Sequence, residues 1–137
     1  MIAPSFLTAV GRPFVKICGL IDGHEAALVA TLGADAIGVN FWPRSKRHTH
    51  LASAAPWLRQ LHGVVARVGV FVDPLESEIE AAFAAHAIDA AQLHGEESPD
   101  FVARLIARGF PAFKALGVKD QASLDLAESY PGLALLL

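Results

Sequence analysis

The sequence predicts an α/β domain of repeated strand–helix units with parallel strands, and three observations carry that prediction. Short apolar runs begin near residues 14, 36, 66, 90, 112 and 133, a spacing of about 21 to 30 residues that matches one βα unit. Between them lie segments with helical periodicity that open on Asp, Ser or Pro and close on Gly. The strand runs are also apolar almost throughout, as in strands covered on both sides. Strands recurring at this period are joined by right-handed helical crossovers. Two closures satisfy the pattern: a doubly wound open sheet, and a (β/α)8 barrel that is incomplete, with about five to six βα units present.

Residues 1–13 read as an N-terminal arm, ended by Gly11 and Pro13, and residues 14–137 as the domain. The first strand is Phe14 to Cys18, followed by a helix from Gly23 to Leu32 that starts on the Asp22 cap and stops at Gly33. Ala36 to Phe41 is the second strand, and a polar loop runs from Trp42 to His50. The next helical segment, Leu51 to Leu61, contains Pro56, which caps or kinks a helix. The third strand lies within Val64 to Val72, and Asp73-Pro74-x-Glu76 predicts a helix start with Pro at its first position. Leu75, Ile79, Ala82, Phe83 and His86 mark the buried face of that helix. Ile88 to His94 is the fourth strand, Ser98-Pro99 opens the fourth helix and Gly109 closes it. Ala112 to Leu116 is the fifth strand, Gln121 to Glu128 a helix capped by Asp120, and Leu133 to Leu137 the sixth strand.

With 137 residues and 53% hydrophobic content, the chain has enough apolar surface to form one ordinary core. Its net charge of -3 gives no basic field of the kind nucleic acids require, and the cluster Arg44, Lys46, Arg47, His48 and His50 is too short to supply one. A small anionic ligand is the more economical partner. One cysteine makes no intrachain disulfide and has no metal-ligand spacing around it, so no metal site is implied by it. Pro4 interrupts the apolar start, no basic segment precedes it, and no charge-free run reaches roughly the 18 residues of a membrane span. A soluble cytoplasmic protein, with no membrane or nucleic-acid partner, is the expectation.

Cys18 is the first residue to explain, because a thiol at the carboxyl end of a strand, before a turn into a helix, stands where α/β proteins place chemistry. Taken alone it is also explained as a small buried hydrophobe. Lys16 alternates to the same side and is either a charge that favours the thiolate or a packed interior layer residue. Gln92 and His94 share one side of the fourth strand, as a polar layer or as site lining. Asp22 and Asp73 read as helix caps, Asp89 as a local cap or pair, and Glu96 and Glu97 as solvated charges at a helix start. Lys114 faces opposite to Phe113 and is a weaker interior candidate. Trp42 and Trp57 are expected to pack or to form a rim.

At FVKICG (14–19), AIGVNFWPRSKR (36–47), RVGVFV (67–72) and AQLHGEES (91–98), in that order and spacing, the sequence closely resembles phosphoribosylanthranilate isomerase. That family is built as a single (β/α)8 barrel, and the resemblance covers Phe14 to Leu137. It implies an Amadori rearrangement of N-(5'-phosphoribosyl)anthranilate to the 1-(2-carboxyphenylamino)-1-deoxyribulose 5-phosphate, without metal or organic cofactor. By the resemblance Cys18 is the general base, Arg47 holds the anthranilate carboxylate, and Gln92 and His94 line the site; Lys16, from its side of the strand, is the further substrate-binding candidate. Lys46 stands where proline is common and His48 where an aromatic is common.

The family's general acid, an aspartate after the sixth strand, and its phosphate-binding loops would follow Leu137, so the chain is expected to be the N-terminal portion of a barrel and inactive alone. Two other functions stay open at this point. One is a non-catalytic partial barrel, completed by self-association through open sheet edges or by a separate fragment. The other is a different phosphosugar-binding α/β protein.

Overall fold

The computed structural model describes residues 11–131 and the backbone of 134–136. Strands and helices alternate throughout: β1 (Lys16–Cys18), α1 (Gly23–Thr31), β2 (Ala36–Asn40), α2 (Leu51–Gln60), β3 (Ala66–Phe71), α3 (Glu76–Ala84), β4 (Ala90–Leu93), α4 (Pro99–Ala107), β5 (Ala112–Leu116), α5 (Gln121–Glu128) and β6 (Ala134–Leu136). All of the sequence-predicted elements are present, several shortened at their ends. Residues 1–10 of the expected arm and Leu133 and Leu137 of the sixth strand lie outside the described residues. Among the described residues no helix is long and apolar enough to cross a membrane.

Local chemistry explains most boundaries. The Asp22 carboxylate accepts from the Glu25 N–H at 2.8 Å, Ser98 Oγ from the Phe101 N–H at 3.2 Å, and the Asp120 carboxylate from the Ser123 N–H at 2.9 Å, each satisfying a donor that the first helical turn leaves free. Pro56 sits inside α2 without ending it. The start of α3 differs from expectation. Its N-cap is Leu75, so Pro74 precedes the helix and Asp73 does not cap it. Instead Glu78 reaches back to accept from the Leu75 N–H at 2.8 Å, and Leu75 is 70% exposed. His86 also turns out of the buried face, whereas Ile79 and Ala82 are buried.

The six strands form one sheet in the order β1-β2-β3-β4-β5-β6, with every neighbouring pair parallel. This sequential order decides between the two predicted closures. A doubly wound sheet reverses its strand order at a switch point, whereas a singly wound βα repeat keeps adding strands on one side, as a barrel does.

Because registered residues of parallel neighbours share a face, the sheet divides cleanly. Ile37, Val39, Ala91, Leu93, Phe71 and Ala112 face the helices and join Leu58, Ile79, Val102 and Leu105 in the main core. Ala36, Val68, Ala90 and Phe113 form a second buried layer on the opposite face, with Phe14 and Ala66 against it. Helices α1 and α2 meet closely: a methyl group at Gly23 would lie 2.6 Å from Trp57 Cβ, so only glycine permits this approach.

Candidate active site

The candidate site is built on the helix-free face of β1 and β2, at their carboxyl ends. Lys16, Cys18 and Gly38 share this face through the pairing Lys16 with Ala36 and Cys18 with Gly38. A Cβ placed on Gly38 would fall 2.7 Å from Cys18 Sγ and 3.2 Å from Lys16 Nζ. The thiol and the ammonium therefore lean over the same bare stretch of strand, beside one another. Cys18 is exposed, not buried as a small hydrophobe would be. Among the described residues Lys16 has no carboxylate partner, which leaves its charge directed at this spot.

The turn after β1 brings in the fourth group. Gly19 has φ +83°, a left-handed conformation that β-carbons disfavour, and it lets the chain leave the strand sharply. Its N–H and that of Leu20 both donate to the Gly38 carbonyl, at 2.9 and 3.1 Å. Arg47 lies against this turn, with its Cγ 3.5 Å and Cβ 3.7 Å from where a Gly19 side chain would begin. The β2–α2 loop holding Arg47 is fixed at both ends, since Asn40 Oδ1 accepts from the Trp42 N–H at 2.9 Å and the Asn40 carbonyl from the Thr49 N–H at 2.9 Å. The Arg47 guanidinium is exposed and makes no hydrogen bond among the described residues.

Gln92 and His94 stand farther along the sheet. Gln92 is in register with Val70 and Phe113 on the same helix-free face, three strands from Cys18, and is 3% exposed with its Oε1 unpartnered among the described residues. His94 follows at the end of β4, exposed, with its N–H donated to the Phe71 carbonyl at 2.9 Å. The structure thus gathers Lys16, Cys18 and Arg47 into one place, and sets Gln92 and His94 on the same rim without bringing them against the thiol.

Three readings of charged residues need correction. Lys114 is registered with Leu93 and faces the helices, where it is 1% exposed and its Nζ donates to Glu97 Oε2 at 2.7 Å and to the Gly95 carbonyl. Glu97 is not a solvated charge but 6% exposed, accepting also from the Asp73 N–H at 2.9 Å and the Gly95 N–H at 3.0 Å. Asp73, at φ +47°, accepts from the Glu96 N–H at 2.7 Å, so it ties the β3–α3 loop to the β4–α4 loop instead of capping a helix. Buried charges cost too much unless paired and hydrogen-bonded, and this set satisfies itself.

A cavity of about 540 Å³ opens at the amino-terminal side of β3 and β4, near Arg67, Asp89, His62 and His86. Arg67 is 2% exposed and spends its donors on Asp89 at 2.7 and 2.9 Å, on the Leu58 and His86 carbonyls, and on His62 Nδ1. Burial would raise the Asp89 carboxyl, but hydrogen bonds from the Arg67 side chain and backbone, with its charge, hold it below the usual carboxylate value. This pair, like Lys114–Glu97, is structural. Among the described residues no three His, Cys, Asp or Glu side chains are grouped to hold a metal ion. Gly38, which leaves the room around the thiol, went unread in the sequence, although a glycine inside an apolar strand is a recognised sign of close approach.

The family model described as N-(5'phosphoribosyl)anthranilate (PRA) isomerase matches residues 15–137. The N-(5'-phosphoribosyl)anthranilate isomerase of Paracoccus denitrificans is 41% identical over 117 residues, covering 85% of this chain and 54% of that protein. Its counterpart from Rubrobacter xylanophilus is 40% identical, covering 90% of this chain and 60% of its own length. Among solved structures, phosphoribosyl anthranilate isomerase from Thermotoga maritima superposes with a TM-score of 0.82 at 34% identity, over 91% of this chain and 61% of that one. A phosphoribosyl anthranilate isomerase in complex with reduced 1-(o-carboxyphenylamino)-1-deoxyribulose 5-phosphate gives a TM-score of 0.81 at 33% identity, over 92% of this chain and 66% of that one. The chain spans between about half and three-fifths of the length of these curated relatives.

Proposed function

Since the chain belongs to the N-(5'-phosphoribosyl)anthranilate isomerase family, we propose that it contributes the base and the carboxylate clamp of an Amadori rearrangement of N-(5'-phosphoribosyl)anthranilate. In this reading residues 14–137 are the first six strands of an eight-stranded barrel, and residues 1–13 an arm preceding it. The general acid and the phosphate cradle belong to the part of family members that this chain does not span. The 137-residue chain alone is therefore expected to be inactive, and its site is cytoplasmic, as is usual for a soluble biosynthetic enzyme.

The observation that carries the reading is the convergence of Lys16 Nζ and Cys18 Sγ over Gly38, with Arg47 packed on the next turn. Ring opening of the ribose by the acid leaves an iminium joining the anthranilate nitrogen to C1'. The Cys18 thiolate then removes the C2' proton. The electron pair of that C–H bond forms the C1'–C2' double bond, and the iminium nitrogen takes up the displaced pair. Loss of the C2' hydroxyl proton and protonation of C1' give the ketone. Hydrogen is only redistributed within one molecule, so the step draws on no external electron acceptor. Lys16 places positive charge beside the sulfur and so favours the basic form. Arg47 is suited to the anthranilate carboxylate, because a planar guanidinium offers two parallel hydrogen bonds. Gln92 and His94 are assigned to the rim that holds the substrate.

The test joins residues 14–137 to the remaining segment of the Paracoccus denitrificans relative and follows conversion of N-(5'-phosphoribosyl)anthranilate by its fluorescence. The chimaera should turn over. Cys18→Ala should lower kcat by about 10²- to 10⁴-fold, the range of a positioned acid or base. Arg47→Ala should mainly raise KM, by roughly ten- to a hundredfold for a charge-assisted hydrogen bond. Turnover by the 137-residue chain alone near the chimaera's rate, or a Cys18→Ala chimaera of undiminished rate, would sink the proposal.

A second reading, a non-catalytic partial barrel closed by self-association, is favoured by one observation: Val15 and Ile17 are 46% and 40% exposed beside the side of β1 that has no neighbouring strand among the described residues. One solved Thermotoga maritima relative is described as generated monomers of a dimeric phosphoribosylanthranilate isomerase. A concentration-independent monomer in sedimentation would count against it.

A further inference from the structure

Asn40 closes β2 two residues beyond Gly38, and alternation along the strand returns it to the helix-free face that carries Cys18. Its neighbour Phe41 turns the other way, into the main core on the helix side, where its ring meets Phe71 at 5.4 Å. Asn40 is in register with Val70, and Val70 with Gln92, so the three form one row of the helix-free face. That row lies about 7 Å beyond Gly38 toward the carboxyl ends of the strands, two residues at the rise of a strand.

The Asn40 amide is only half committed. Its Oδ1 accepts from the Trp42 N–H at 2.9 Å, and a bond from a backbone donor decides which end of the amide is oxygen. The nitrogen therefore points elsewhere. Among the described residues Nδ2 donates to nothing, and it is not sealed from solvent: the buried side-chain atoms without a partner are Thr49 Oγ1 and Gln92 Oε1. The Asn40 backbone is held as well, its carbonyl accepting from the Thr49 N–H at 2.9 Å. A pair of accessible donors is thus fixed on a rigid strand end, above the thiol and at the start of the loop that carries Arg47.

We propose that Asn40 is a second carboxylate-binding residue of the site, its Nδ2 donating to the ortho carboxylate that Arg47 clamps. The inference rests on the isomerase reading of the site and deepens it, since two groups of the chain then recognise the substituent on the ring. A carboxylate offers about four lone-pair sites, of which a guanidinium fork takes two. A neutral donor can fill another without adding a second charge. The step from Gly38 to Asn40 is comparable with the reach from C2', at the thiol, across the anilino nitrogen to that carboxylate.

The experiment titrates the 137-residue chain with anthranilate and, separately, with aniline, which keeps the ring and the amine and has no carboxylate. NMR follows the side-chain amide of Asn40 and the Nε–H of Arg47, up to about 50 mM ligand, beyond the millimolar affinity of a small fragment. Anthranilate should shift both resonances saturably, and aniline neither. Asn40→Ser keeps an oxygen that can accept from the Trp42 N–H, is neutral, and is too short to reach the ligand; it should weaken anthranilate about tenfold, the worth of one hydrogen bond to a charged group. Asn40→Asp also keeps that acceptor, and with it the thermal midpoint, but sets a like charge before the ligand and should weaken binding further. A shift at Arg47 without one at the Asn40 amide, an equal Asn40 shift with aniline, or an Asn40→Ser chain that binds like wild type overturns the inference and leaves the isomerase reading standing. No saturable shift at either residue overturns both the inference and the Arg47 clamp.

Discussion

Cys18 keeps its reach because Gly38, its registered neighbour, has nothing to put in the way. A methyl group there meets Sγ at 2.7 Å and the Cys18 Cα at 3.3 Å, and the backbone atom cannot swing aside. Gly38→Ala should therefore destabilise the fold by about 1–3 kcal/mol, the range of an overpacked site. It should also change the rate at which iodoacetamide alkylates Cys18, measured beside the denaturation midpoint. At Lys114 and Glu97, side chains 1% and 2% exposed, removing one partner strands a charge. Lys114→Met alone should cost about 3–5 kcal/mol, and the Lys114→Met, Glu97→Gln pair clearly less than the sum of the two single changes, in a urea-unfolding double-mutant cycle. Asp89 gives a pH dependence. Its folded carboxyl titrates below its unfolded value of about 3.9, so the stability it adds is complete well above that value and is lost as pH falls through the folded value. The gap in thermal midpoint between wild type and Asp89→Asn should hold from pH 7 to about 5 and narrow below about pH 4. Of these residues the sequence pointed to Cys18, through its strand end, and read Asp89 as a local cap or pair, although its partner Arg67 lies 22 residues away on β3. It misplaced Lys114 and Glu97, because a charge's partner is found only once separate loops are brought together.

Elements were the most legible level. Caps such as Asp22, Ser98 and Asp120 act within three or four residues, and each was readable as a local motif. The start of α3 escaped because two starts competed there. Asp73 and Pro74 form a good opening, but Asp73 is held by the β4–α4 loop, and the helix begins after Leu75. Buried faces were partly legible, as Ile79 and Ala82 show, but close approaches between two helices were not, and Gly23 shows why. In a helix, glycine costs about 1 kcal/mol relative to alanine, which argues for substitution. Against that, the Trp57 Cβ stands 2.6 Å from the added methyl. Gly23→Ala should thus destabilise by about 1–3 kcal/mol despite its better propensity, in guanidinium denaturation monitored by tryptophan fluorescence.

For the whole molecule, the repeat period predicted parallel βα units, and the order of the six strands then separated a singly wound sheet from a doubly wound one. Hydropathy did not make that separation, because strands in either arrangement are covered on both faces. The site depends on the same architecture. Lys16, Cys18 and Arg47 come from two consecutive units and need only β1 and β2 to be paired, whereas Gln92 and His94 need four units in place. The sequential order has a further consequence during synthesis. Among the six described strands each pairs with the one made just before it, so within this set only closure of a barrel onto β1 would have to wait for a distant partner. The chain can assemble from its amino terminus as it leaves the ribosome, each new unit docking on a finished edge. On that route the thiol and its arginine are in place after the second helix, well before the rest of the sheet exists.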